Sequence, residues 1–418
     1  MDIKITPHSL SGEVLAIPSK SDCHRALICA ALSDSETKIK IDSFSRDIDA
    51  TIDCVCALGG NVEKHDGFLL VSPIKKGIKA PLLDCFESGS TLRFLLPVAS
   101  VVAENPAFTG HGRLPQRPLS PLYEEMLSHG CSFTDKSLPL TIGGKLKGGT
   151  YHLAGNVSSQ FISGLLFALP LCEEDSKIVL TSPLESKGYV NMTVATLKAF
   201  GLQIICKENE YIIKGKQNYI SPKEYTVEGD WSNAAFWLSA GAISEKINVK
   251  NLSLRSNQGD KEITDILKTL GAEVEAFEKN VVVKKDKLKE VTYDLTDIPD
   301  LAPIVSAVCA LSDGKSVLKG LARLKIKESD RLLAIEDTLK RLGADISATE
   351  DSLIINGKSE LSGGEVFSYN DHRIVMMAAI TATRCNKPVI IRGFEAIEKS
   401  YPDFFIHYKS LGGVFDVL

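Results

Sequence analysis

Apolar residues recur in two rhythms along this chain. Residues 47–58, 191–200, 261–270 and 329–342 place them three and four apart, the spacing of an amphipathic helix. Short alternating runs such as residues 203–206 and 211–213, bounded by polar turns, read as strands. A glycine stands at the junction from helical run to strand-like run six times. The junctions are C-A-L-G-G-N-V, L-S-H-G-C-S-F, K-A-F-G-L-Q-I, K-T-L-G-A-E-V, K-R-L-G-A-D-I and K-S-L-G-G-V-F, with their glycines at Gly59, Gly130, Gly201, Gly271, Gly343 and Gly412. Successive glycines are 71, 71, 70, 72 and 69 residues apart, too regular for chance recurrence of a Leu-Gly pair. Each junction predicts a helix closed by a left-handed glycine that leads into a strand. The pattern therefore predicts six copies of one α/β unit.

A unit of that size is too large for a stacked solenoid repeat and too small for six independent domains. The economical arrangement is two domains of three units, with a boundary between Gly201 and Gly271. Residues 215–222 read as loop, and a helix is expected from Trp231. The predicted division is residues 14–224 against residues 1–13 plus 225–418, with a cleft between the two domains as the expected ligand site.

Composition narrows the class. The 418 residues carry a net charge of −5, which argues against a chain that coats nucleic acid or an anionic membrane. The N-terminus lacks a signal-peptide core, and no window approaches the roughly 18 apolar residues of a membrane span, so the expectation is a cytoplasmic protein. The ten cysteines are scattered, without C-x-x-C or zinc spacing. No metal site is expected.

Cations gather at predicted helix starts in spite of the acidic balance. The densest case is R-L-K-I-K-E-S-D-R, residues 323–331, which runs into a helix capped by Ser329 or Asp330. Free N–H groups and the dipole at such an end attract anions. Lys20, Ser21 and Arg25 fall on the first turn of a helix expected over residues 24–32, with Ser21 or Asp22 as its cap. Phe86-Glu87-Ser88-Gly89-Ser90-Thr91-Leu92-Arg93 precedes an apolar helix, with Gly89 open to close approach of a ligand. Arg117 stands on a proline-stiffened loop. Ser158-Ser159-Gln160 and Ser186-Lys187-Gly188-Tyr189 open two more helices, Asp300 another, and Tyr369-Asn370-Asp371-His372-Arg373 a further apolar one; Lys399 lies near the end. Each is, taken singly, an ordinary capped helix start. Folded around one cleft, they would hold small polyanions bearing phosphate and carboxylate, with Asp300 and Glu328 as candidate proton carriers. Gly314-Lys315-Ser316 lacks the first glycine of a P-loop, and Gly110-His111-Gly112 lacks the third glycine of a dinucleotide fingerprint. Neither H-E-x-x-H nor G-x-S-x-G occurs.

The motifs S-K-S-x-x-x-R-A, S-G-S-T-x-R-F, R-P, S-S-Q-F, I-P-D, K-E-S-D-R, N-D-H-R and Y-P-D-F-F follow one another over nearly the whole chain. In this order they resemble the 5-enolpyruvylshikimate-3-phosphate synthase (3-phosphoshikimate 1-carboxyvinyltransferase) family of enolpyruvyl transferases. The resemblance implies an α/β fold of two domains, each of three βαβαββ units, closing on the substrates. It implies transfer of the enolpyruvyl group of phosphoenolpyruvate to the 5-hydroxyl of shikimate 3-phosphate, with release of phosphate, in chorismate and aromatic amino acid biosynthesis. It implies no cofactor and a monomer with small-molecule partners. Carried over by motif, Lys20, Ser21, Arg25, Ser158, Ser159, Ser186, Asp300 and Lys327 would bind shikimate 3-phosphate, with Tyr189 beside its ring. Lys20, Gly89, Arg117, Gln160, Arg331, Arg373 and Lys399 would bind phosphoenolpyruvate. Asp300 would accept the 5-hydroxyl proton and Glu328 would protonate the methylene carbon, with Lys20 as the competing donor. Where many relatives have Asn-Ala-Gly-Thr, this chain has Glu87-Ser88-Gly89-Ser90, and some relatives have Asn at the position of Arg323; Glu87 and Arg323 carry no assigned role. The UDP-N-acetylglucosamine enolpyruvyl transferases share the fold but use Lys-Asn at the place of Lys20-Ser21, and a loop cysteine that residues 110–118 lack. A non-catalytic clamp on nucleic acid and a polyanion-binding regulator are the readings from other classes.

Overall fold

The six junction glycines all take positive φ, between +83° and +102°, the left-handed turn that closes a helix and costs any other residue strain. Each leads into a strand, from Asn61–His65 after Gly59 to Val414–Val417 after Gly412. The computed structural model describes residues 1–75 and 77–418. Among them are six four-stranded sheets and one two-stranded sheet.

The six sheets share one topology: a parallel pair continued by two antiparallel strands. In one of them Thr150–Leu153 runs parallel to Ser176–Leu180, which pairs antiparallel with Glu210–Ile213, and that strand with Ile204–Cys206. The register sets Tyr151 opposite Ile178 and Ile178 opposite Tyr211. These three are buried while Lys177 and Val179 are not, the period-2 alternation of a sheet with one face on a core.

The chain divides into two compact units, Pro18–Val227 and Met1–Ile17 with Glu228–Leu418. The crossings lie three to four residues beyond those expected at 13/14 and 224/225. Strand pairing is the reason. Gly12–Leu15 is laddered in parallel to Ile247–Lys250, and Glu224–Thr226 to Thr37–Lys40, so a boundary inside either strand would cut its ladder.

Each unit has its own apolar core. Helices Lys20–Ala31, Gly89–Val102 and Ser159–Ala168 run through the core of the first unit, and helices Trp231–Ile243, Ala302–Ala310 and His372–Ala382 through that of the second. All thirteen residues of Trp231–Ile243 are buried, so this helix is enclosed on every face rather than on one stripe. By contrast, Arg46–Ala57 and Arg331–Arg341 bury one face only. Buried helices bring their ends, with unpaired N–H groups, to the margin of a core. The polar motifs of the sequence sit at those ends.

Candidate active site

In the unit Pro18–Val227, serines cap all three core helices. Ser19 Oγ accepts from Asp22 N, Ser88 Oγ from Thr91 N and Ser158 Oγ from Gln160 N. The first helix thus begins at Lys20, four residues before the expected start, and neither Ser21 nor Asp22 is its cap. The apolar rhythm begins only at Cys23, so the polar first turn was invisible to it. The earlier start puts Lys20 and Ser21 on the helix itself.

The cations here are held mainly by neutral acceptors. Arg25 is 2% exposed and donates to Thr193 Oγ1 at 2.8 Å, to the Ser21 carbonyl at 2.6 Å and to the Tyr189 carbonyl at 2.9 Å. Burial draws its guanidinium pKa down to about 10, against the pull of Asp22. Arg93 Nη1 donates to Gln160 Oε1 at 2.8 Å, and Gln160 Nε2 donates to Ser90 Oγ at 2.9 Å. The amide of Gln160 is thereby oriented, and Arg93 and Ser90 join the candidate site. A Cβ built on Gly89 would lie 2.5 Å from Arg117 Nη1, so only glycine lets the guanidinium lie against this helix end. Lys20 has an ionic partner: its Nζ is 2.7 Å from Asp47 Oδ2. Ser186, before helix Lys187–Ala199, has left-handed φ of 56°, and Phe86, before the Ser88-Gly89 turn, has φ of 50°. Strained non-glycine backbone of this kind gathers at ligand sites.

In the unit Met1–Ile17 with Glu228–Leu418, aspartates take the corresponding places. Asp230 Oδ1 caps Trp231–Ile243 at Asn233 N, Asp371 Oδ1 caps His372–Ala382 at Arg373 N, and Asp300 lies in the single 3-10 turn that precedes Ala302–Ala310. Arg331 is 1% exposed. Its Nε donates to Asp371 Oδ2 at 2.9 Å, its Nη1 to Asp300 Oδ1 at 2.9 Å, and its Nη2 to Glu328 Oε2 at 2.6 Å and Asp371 Oδ1 at 3.3 Å. Four of its five N–H donors are thus taken by protein carboxylates. Lys327 Nζ reaches Asp300 Oδ1 at 3.2 Å. Arg373 donates to the Asp300 carbonyl at 3.2 Å and to Ser232 Oγ at 2.7 Å, and lies 3.5 Å from Asp300 Oδ2. Burial would raise the Asp300 carboxyl, but Arg373, Lys327 and Arg331 together outweigh it and hold it well below the usual carboxylate range.

Within this unit the structure gathers Asp300, Lys327, Glu328, Arg331 and Arg373 into one network. Lys399 joins its edge, donating to the Asn370 carbonyl at 2.7 Å, where Tyr369 and Asn370 both have left-handed φ. Asp330 caps Arg331–Arg341 through Leu333 N, while Ser329 Oγ donates to Asp371 Oδ2 at 3.0 Å. Arg323 Nη2 donates to the Thr296 carbonyl at 2.9 Å, bracing the loop that leads to Asp300.

Asp371 and Asp260 were missed as site residues in the sequence. Asp371 sits in N-D-H-R, and its place before an apolar helix was the available signal. Asp260 had no such signal. It is 3% exposed and hydrogen-bonded to Ser232; burial first, then the Asp300 charge, push its carboxyl up to about 6. Among the described residues no group of three His, Cys, Asp or Glu side chains could hold a metal ion, and no helix is long and apolar enough to cross a membrane.

The arrangement offers ammonium and guanidinium groups at helix ends for anions, and one carboxylate, Asp300, held ionised among cations. Comparison with known proteins points the same way. Residues 5–407 match the family model described as EPSP synthase (3-phosphoshikimate 1-carboxyvinyltransferase). The 3-phosphoshikimate 1-carboxyvinyltransferase of Clostridium kluyveri is 45% identical over 99% of this chain and 98% of its own length. That of Clostridioides difficile is 46% identical over the same shares. Among solved structures, EPSP synthase from Acinetobacter baumannii superposes with a TM-score of 0.83 at 25% identity, covering 99% of both chains. The enolpyruvyl transferase NikO from Streptomyces tendae shares the fold, with a TM-score of 0.81 at 15% identity over 99% of this chain and 98% of its own. With its model matched over nearly the whole sequence and relatives this similar end to end, the chain belongs to the EPSP synthase family.

Proposed function

We propose that this chain transfers the enolpyruvyl group of phosphoenolpyruvate to the 5-hydroxyl of shikimate 3-phosphate and releases phosphate. The observation that carries the reading beyond family membership is the Asp300 network. A carboxylate ringed by Lys327, Arg331 and Arg373 stays ionised and so has its oxygens available to orient the 5-hydroxyl and take its proton as the C–O bond forms. As that oxygen adds to C2 of phosphoenolpyruvate, the methylene carbon takes a proton and becomes a methyl group; return of one methyl proton to the group that donated it, with departure of phosphate from C2, then restores the double bond. Glu328, 2.6 Å from Arg331, is the assigned donor of that proton, with Lys20 as the second candidate.

Binding is assigned by chemistry. Lys20, Ser21, Arg25, Ser158, Ser159, Ser186 and Lys327, with Asp300, are assigned to shikimate 3-phosphate, and Tyr189 to its ring. Lys20, Gly89, Arg117, Gln160, Arg331, Arg373 and Lys399 are assigned to phosphoenolpyruvate. Arg331 has a single N–H left by its carboxylate partners, so its effect on phosphoenolpyruvate runs largely through Glu328 and Asp300, which it orients. The guanidinium groups align the reacting carbons and neutralise the departing phosphate. The enzyme works on small soluble substrates, as a monomer in the cytoplasm and without a cofactor.

Phosphate release on mixing the protein with both substrates, against each alone, tests the reading. Asp300→Asn and Glu328→Gln are expected to lower kcat by about 10²- to 10⁴-fold each. Near-normal turnover in both would sink the assigned roles, and no release from the unaltered protein would sink the activity itself.

A further inference from the structure

Behind Gly89 lies a chain of side chains that the reaction as described leaves unused. Helices Lys20–Ala31 and Gly89–Val102 are joined, by way of helix Arg46–Ala57, through four buried groups. His24 Nδ1 is 2.7 Å from Thr51 Oγ1, Thr51 Oγ1 is 2.6 Å from Thr91 Oγ1, and Thr91 Oγ1 donates to Ser88 Oγ at 2.7 Å. His24, Thr51 and Thr91 are wholly buried, and Ser88 is 1% exposed.

Each hydroxyl has one proton, which orders the chain. Thr91 spends its proton on Ser88, so it accepts from Thr51. Thr51 gives its own to Thr91 at 2.6 Å, the Asp47 carbonyl at 3.5 Å being the more distant acceptor, and accepts from His24. The imidazole is therefore the neutral Nδ1–H tautomer. Its Nε2 has no partner among the described residues, and in this tautomer that atom carries no hydrogen, so no N–H is stranded in the core. Burial, with the nearby Lys20 and Arg25 charges, holds the imidazole pKa well below its usual value, which keeps the ring neutral.

The chain ends where the candidate site is most exacting. Ser88 Oγ also accepts Thr91 N at 3.2 Å, and the next residue is Gly89, against which Arg117 lies. At its other end His24 shares a helix with Lys20 and Arg25. We propose that His24, Thr51 and Thr91 are positioning residues for enolpyruvyl transfer, a one-way hydrogen-bond chain that sets the Ser88-Gly89 backbone where phosphoenolpyruvate is received. The proposal rests on the functional reading above.

Steady-state rates of the full-length protein, with each substrate varied in turn, test it. Thr51→Val keeps the shape and removes both hydrogen bonds of the middle link. It is expected to raise KM for phosphoenolpyruvate by about 5- to 10-fold, with KM for shikimate 3-phosphate within about twofold. Thr51→Ser restores the link and should return both constants to within about twofold of the unaltered protein. Ser88→Ala removes the far end and should show the same selective rise. An unchanged KM for phosphoenolpyruvate, an equal rise in both constants, or failure of Thr51→Ser to restore them would reduce the chain to a structural role. If Thr51→Val does not fold, Ser88→Ala decides by the same criteria. An unaltered protein that releases no phosphate overturns the functional reading, and this proposal with it. An active unaltered protein with an indifferent Ser88→Ala overturns this proposal alone.

Discussion

The two units answer the same structural problem, the open N-termini of three core helices, with different chemistry. In Pro18–Val227 the caps are Ser19, Ser88 and Ser158. In the other unit Asp230 and Asp371 cap, and Asp300 stands in the turn before the third helix. A serine satisfies an N–H without adding charge, so the positive helix end and the adjacent Arg25, Arg93 and Arg117 keep their field for an incoming anion. An aspartate offsets that field and binds the neighbouring cations, as Asp371 and Asp300 bind Arg331. One unit thus leaves the positive field of its helix ends uncancelled by the caps. The other is an ionic network in which the carboxylates of Asp300 and Asp371 are oriented by Arg331. The lesson is that a count of cations near a site does not measure its charge; the cap residue beneath them does.

The sharpest way to break this comparison is to remove one buried arginine from each unit. Arg331→Met would leave Asp371 and Asp300 short of their counter-ion and is expected to lower unfolding stability by about 3–5 kcal/mol. Arg25→Met would leave a hydroxyl and two carbonyls short of a donor but no hydrogen-bonded carboxylate, Asp22 acting on Arg25 only through space, at a cost of about 1–2 kcal/mol. Urea unfolding of both variants measures the difference, and equal losses would erase the distinction drawn here.

A smaller effect should come from Asp260, whose carboxyl is raised from 3.8 to about 6. The folded state keeps this proton to higher pH than the unfolded chain. The group therefore makes stability fall as pH rises from about 4 to about 6, with no further loss above. Asp260→Asn removes that fall, so its stability relative to the unaltered protein should climb over this window by on the order of 2–3 kcal/mol. Asp300, whose pKa is depressed, works in the opposite sense: its contribution is present above about pH 4 and is lost as pH falls further. Thermal unfolding of the variant and the unaltered protein across this range checks the sign. A flat difference would show that neither burial nor the charge of Asp300 raises the Asp260 carboxyl in the folded protein.

The smallest effect probes the serine-capped unit. Gly89→Ala places a Cβ 2.5 Å from Arg117 Nη1. The mobile guanidinium gives way rather than the helix, so KM for phosphoenolpyruvate should rise about tenfold while the unfolding midpoint in urea stays nearly unchanged. A loss of stability instead would mean that Arg117 is locked in place.

Much of this plan was legible in the sequence because it is local. A glycine that ends a helix and a polar motif that begins one are written in adjacent residues, so the six junctions and the helix-start motifs could be read directly. Helix Lys20–Ala31 shows where local reading slips: its cap is Ser19, and its polar first turn gives the apolar rhythm nothing to register. What could not be read is pairing across repeats. The contact of Arg331 with Asp371 spans 40 residues, and the neighbourhood of Asp260 exists only after Ser232 and Arg373 are packed together. Charge spacing put Arg331 at an anion site, but gave no sign that most of its donors are already taken.

The strand Asp2–Thr6 lies between Val389–Arg392 and Val414–Val417, paired antiparallel with both. During synthesis it leaves the ribosome before the unit Pro18–Val227, yet both its neighbours are made only after that unit. The unit Pro18–Val227 is one uninterrupted stretch and can assemble while the remainder is still being translated. The strand Asp2–Thr6 must wait, unpaired and half apolar, until Val389–Arg392 and Val414–Val417 have been made. A chaperone that shields the nascent chain would have a long task at those few residues, and the closing of this sheet is a step that must wait for Val414–Val417.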